Sequence, residues 1–96
     1  MKTKVFISQP MQGKSKYKIE RERRKLVLDI ESQGFDVIDS VIDIDDNVSP
    51  MYYLAKAIEM MVDADIVLFM PGWENARGCQ IEHEVALKYG KYVKEL

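Results

Sequence analysis

Apolar residues along this chain fall into two alternating periodicities. Val5, Phe6 and Ile7 sit in KVFIS (Lys4–Ser8), a run of β-formers ended by Gln9-Pro10 that predicts a buried strand. Pro10, Gly13 and Ser15 then supply turn chemistry, and over 15–33 the positions Ile19, Leu26, Val27 and Ile30 recur at helical spacing. Gly34 stands where a helix end favours a left-handed backbone. FDVID at 35–39 predicts a second short strand. Ser49 is a good N-cap with Pro50 at the first helical position, and Tyr53, Ala57, Met60 and Met61 mark one side of a second helix. DIVLFM at 65–70 is nearly all apolar, the pattern of a strand covered on both faces. PGWENARG is a loop, 79–89 a third helix stopped by Gly90, and Tyr92-Val93 a last short strand.

The order β-α-β-α-β-α-β predicts an α/β protein with a parallel sheet, helices on both faces and right-handed crossovers. Ligands of such sheets bind outside the carboxyl ends of the strands. That rule selects two loops, SQPMQGKS after the first strand and PGWENARG after the third.

Composition narrows the function classes. The 96 residues fit one domain, 1–96, and 47% hydrophobic with 31% charged residues is ordinary for a globular protein. No segment approaches the apolar length of a membrane span, and MKTKVFISQP does not read as a signal peptide, so a cytoplasmic protein is expected. Cys79 is the only cysteine, which excludes an intrachain disulfide and a cysteine-built zinc site. A net charge of −2 argues against a nucleic-acid polymer as partner, and the basic run KSKYKIERERRK, interleaved with Glu20 and Glu22, reads as a solvated helix face. Asp39, Asp43, Asp45 and Asp46 lack the glycine and terminal glutamate of an EF-hand loop and read as a solvated acidic loop. No metal site and no cofactor are expected.

The chemistry concentrates in the two loops. Glu82 falls in the first or second turn of the third helix, where the positive helix end is expected to keep it ionised at neutral pH. An ionised carboxylate there either serves the helix dipole or acts as a nucleophile at an anomeric carbon. Glu84 points away from Glu82 by helical geometry, and His83 reads as a surface histidine. Trp73 is either a base-stacking surface or a core or subunit contact, and Arg77 suits a phosphate. Gly13 with Lys14 and Ser15 offers an anion site near a helix start, though without a full GxxxxGK[ST] pattern.

FISQPMQGK, VDADIVLFMPGW and ARGCQIEHEVALKYGK together resemble the nucleoside 2-deoxyribosyltransferase-like superfamily, above all its short phage and bacterial members. The specific part is the spacing of Gly78, Glu82, Ala86, Gly90 and Lys91. The resemblance implies a three-layer flavodoxin/Rossmann-like sandwich with four or five parallel strands, and a homodimer or larger homo-oligomer. It also implies Glu82 as the catalytic residue attacking C1′ of a nucleoside. The ligand-binding residues it implies are Ser8, Gln9, Pro10, Met11, Gly13 and Lys14 in the first loop and Gly72, Trp73, Asn75, Arg77 and Gly78 in the second.

The chain also departs from that family. The resembled enzymes carry an aspartate where this chain has Ala57, another where it has Ala76, and a C-terminal asparagine segment, whereas this chain ends fourteen residues after Glu82. Breaking an N-glycosidic bond needs the departing base protonated as well as C1′ attacked. The expectation is therefore a protein that binds a nucleotide or a nucleotide-derived, ADP-ribose-like molecule, as a phage protein sequestering a defence signal in its host's cytoplasm would. The alternative is an N-glycosidase or deoxyribosyltransferase working through Glu82, and a third reading is an interaction module with an empty cleft.

Overall fold

A computed structural model describes residues 2–38, 45 and 47–96. The expected elements form in the expected order: β1 (Lys4–Ser8), α1 (Lys16–Ser32), β2 (Asp36–Ile38), α2 (Pro50–Met61), β3 (Ile66–Phe69), α3 (Arg77–Lys88) and β4 (Tyr92–Glu95). The N-caps follow local chemistry, since Ser15 Oγ accepts from Lys18 N at 3.2 Å and Ser49 Oγ from Met51 N at 3.2 Å. These bonds satisfy first-turn amides that the helix itself leaves without acceptors. Gly34 closes α1 at φ 92°, as expected of a residue without Cβ. Two boundaries differ from the pattern by more than one residue. A 3₁₀ turn, Trp73–Asn75, precedes α3 and lets that helix begin at Arg77, and β4 runs on to Glu95 because it pairs along the whole of β3.

Among the described residues the sheet has four strands, all parallel, in the order β2-β1-β3-β4. Strand alternation divides the core into two layers. Val5, Ile7, Leu68 and Met70 face α1, packing with Ile30 and the half-buried Leu26 and Val27. Phe6, Val67 and Phe69 face the other way, toward Met61 of α2 and Ala86 of α3. The result is the three-layer sandwich expected of a Rossmann-like fold. Arg23, read as part of a solvated basic face, is buried instead. It sits one turn after Ile19 on the inner side of α1, and its Nη2 donates to Ile38 O at 3.4 Å. A long aliphatic stem lets an arginine fill such a position while its head reaches a carbonyl.

The far ends of the helices are tied by a lysine. Lys91 Nζ donates to Val62 O at 2.9 Å and Ala64 O at 2.7 Å, satisfying carbonyls where α2 runs out into β3. Hydrogen bonds from a charged donor contribute more than neutral ones. Lys91→Met, which keeps an apolar stem of similar length, is therefore expected to destabilise the protein by about 1–3 kcal/mol in urea unfolding monitored by circular dichroism.

Candidate functional site

Because β2 lies beside β1 on one side and β3 on the other, the chain leaving β1 and the chain leaving β3 turn to opposite faces of the sheet. A crevice opens where they diverge. It is a cavity of about 570 Å³. The loop after β1 lines it with Gln9, Pro10, Met11, Gly13 and Lys14. The start of α3 adds Arg77, Gly78, Cys79 and Glu82, and the first half of α2 closes the remaining wall with Pro50, Tyr53, Leu54 and Ala57. Asp45, Val48 and Ala76 complete the rim.

Glu82 is the buried carboxyl among the described lining residues. It is the sixth residue of α3, on the buried stripe shared with Cys79 and Ala86, and only 7% of its surface is exposed. Period-2 alternation in β1 turns Ser8 to the same side as Phe6, toward α3. There the Ser8 hydroxyl donates to Glu82 Oε1 at 3.1 Å. Burial pushes the Glu82 carboxyl up from its ordinary value of 4.5 to about 7, with the Ser8 bond acting in the opposite direction. This corrects the expectation of a carboxylate kept ionised by the helix end. The dipole acts within the first turn and weakly on a second-turn group, whereas removal from water penalises the charged form of any carboxyl. Burial likewise pushes the Cys79 thiol up to about 11, so it stays neutral.

The other expected ligand residues divide. Lys14 reaches the cavity but is already engaged, its Nζ donating to Glu22 at 3.0 Å, and that bond holds the Glu22 carboxyl below its usual range. Arg77 is exposed at the rim and forms no ion pair among the described residues. Gln9 is 6% exposed, and its Nε2 donates to Ile19 O at 2.9 Å. Ser8 does not line the cavity but stands behind Glu82. Gly72, Trp73 and Asn75 are not on the cavity wall either. Gly72 takes φ 93° to make the turn after β3, and Asn75 N bonds Gly72 O at 3.1 Å within the 3₁₀ turn.

Trp73 packs on the core and stacks on His83, ring centroids 4.1 Å apart and 13° from parallel. His83 is thus a correction to the surface reading. It is half-buried between that indole and the Phe69 edge, with Nε2 2.9 Å from Glu95 Oε1. Glu84 does point away from Glu82, pairing at the surface with Lys88.

The cavity includes residues the sequence did not single out as a site. Tyr53 and Ala57 carried a signal as inner-face positions of α2, and Ala57 also as the place where the resembled enzymes carry an aspartate, but periodicity cannot separate a wall facing a core from a wall facing a cavity. Tyr53 Oη is anchored at Asp45, accepting from its N at 2.6 Å. Of the acidic loop, Asp45 is exposed on the rim, and Asp39, Asp43 and Asp46 lie outside the described residues.

Fold and site together define an α/β protein with a switch-point cavity and, among the described residues, one buried carboxyl in its wall. Over residues 3–95 the chain matches the family model described as Domain of unknown function (DUF4406), and it belongs to that family. No curated protein and no solved structure matches it. Among the described residues no helix is long and apolar enough to cross a membrane.

The position of Glu82 has a consequence for stability. Its folded-state pKa lies above the ordinary 4.5, so between about pH 4.5 and 7 the folded protein holds the proton more tightly than the unfolded chain, and stability falls as pH rises. Glu82→Gln keeps an acceptor for Ser8 without the charge. It is expected to match the wild type below pH 4.5 and to exceed it at pH 8 by an amount on the order of 3 kcal/mol, measured by urea unfolding across pH.

Proposed function

We propose that the cavity binds a nucleotide or nucleotide-derived small molecule, with Glu82 meeting ribose hydroxyls. The observation that carries this reading is a buried carboxyl poised near neutrality in a cavity at the topological switch point. The volume of about 570 Å³ is within the range of small-ligand sites. Met11, Val48, Pro50, Tyr53 and Leu54 supply an apolar wall against which a base can lie, with Tyr53 offering the aromatic surface. Arg77, the first residue of α3, is the cation for a phosphate, because Lys14 is already paired with Glu22.

Binding is favoured over turnover by what surrounds Glu82. Ala57 and Ala76, the positions where the resembled transferases carry acids, both line this cavity and offer no proton to a departing base. Among the described residues the other carboxylate lining the cavity is Asp45, exposed at the rim, so a glycosidase reading has no second buried acid there. A homo-oligomer belongs to the same proposal, supported by Met51 and Tyr52 of α2 and Ile81 and Leu87 of α3, apolar side chains exposed on neighbouring helices.

Calorimetry with nucleosides, their 5′-monophosphates and ADP-ribose tests the reading. Micromolar to millimolar binding of at least one class is expected, with Arg77→Ala weakening the phosphorylated ligands about tenfold and leaving nucleosides unchanged. An ionised Glu82 accepts from hydroxyls better than a neutral one, so affinity is expected to rise with pH through about 7. No heat with any ligand overturns the proposal, and release of free base seen by chromatography assigns turnover instead.

A further inference from the structure

We propose that Ser8 is a positioning residue that sets the protonation state and orientation of Glu82, and thereby the pH at which the cavity accepts ligand. The inference rests on the reading of Glu82 as the ligand contact. Ser8 is 1% exposed and absent from the cavity wall, so it cannot touch a ligand itself. Its backbone is held on both sides of its own position, paired with Phe69 in the β1–β3 ladder and accepting from Met70 N at 3.0 Å. The hydroxyl therefore approaches Glu82 from a fixed point.

That fixed donor occupies Oε1, and because Glu82 lines the cavity, Oε2 is the oxygen left to meet a ligand. While Oε1 accepts from Ser8, the proton of the neutral carboxyl resides on Oε2 and the cavity is offered a donor. Once the proton has left to solvent, the same atom is an acceptor. A hydrogen bond to the charged form favours that form, so Ser8 opposes the burial of Glu82 and brings its ionisation toward neutrality. The Cys79 thiol, which also meets Ser8, is a neutral neighbour. Among the described residues, the charged groups on the other walls are Arg77 at the start of α3, Lys14 in the loop after β1 and Asp45 at the rim beside α2, while His83 turns away toward Trp73.

The test follows the Glu82 carboxyl directly, by carbon NMR of glutamate-labelled protein titrated without ligand. Ser8→Ala is expected to move its midpoint upward by about one pH unit, the equivalent of losing one hydrogen bond to a charged group. Ser8→Thr, which keeps a hydroxyl on a residue suited to a strand, is expected to return the midpoint toward wild type. Circular dichroism checks that each variant is folded. A midpoint unmoved in folded Ser8→Ala, or equally displaced in folded Ser8→Thr, overturns the proposal. If Ser8→Ala does not fold, the Ser8→Thr midpoint decides alone, and a rise of a full unit there overturns it. Because the NMR readout needs no ligand, its failure is distinct from failure of the nucleotide reading. Where both hold, the pH midpoint of ligand affinity is expected to shift upward with the carboxyl in Ser8→Ala.

Discussion

The parallel ladder between β1 and β3 is the constraint on which the rest depends. It places Val5 opposite Ile66 and Ser8 opposite Phe69, which aligns the carboxyl ends of two strands whose following helices pack on opposite faces. The two loops must separate there, and the space between them is the cavity. A slip of one residue in that pairing would turn Phe6 and Ser8 to the α1 face and remove the hydroxyl from Glu82. Fold and site are in this sense set by one register.

Within that frame the site is a balance between burial and hydrogen bonding. Glu82 sits on the stripe of α3 that packs against the sheet, among residues selected for removal from water. Its carboxyl therefore resists ionisation, and the single donor from β1 partly offsets that resistance. Around it the wall is mostly apolar, with cationic character confined to Arg77 once Lys14 is paired with Glu22. A cavity of this composition suits a ligand with hydroxyls at one end and a flat apolar body, which is why a nucleoside-like molecule is the proposal.

The aromatic residues illustrate how tertiary packing redistributes roles. Trp73, in the charged loop after β3, looked available for stacking. Its partner is His83; both rings pack on Phe69, and His83 also meets Glu95 on β4. This cluster ties α3 to the edge of the sheet and holds the helix that carries Glu82. Tyr53, less conspicuous in the sequence, lines the cavity from α2, with Phe6 of β1 as a second aromatic residue in its lining.

Element order, the parallel sheet, the helix cap at Ser49 and the two loops at the carboxyl ends were legible in the sequence, because each follows from local periodicity or backbone chemistry. The position of Glu82 at the head of the third helix was legible for the same reason. Its ionisation was not, since the dipole of a helix is a local property and desolvation depends on which elements close over the carboxyl. Nor could the sequence assign Ser8 to Glu82 rather than to a ligand, bury Arg23, or turn Trp73 to His83. Those outcomes depend on contacts between residues far apart in the chain, 74 positions in the case of Ser8 and Glu82, and only the packed sheet brings them together.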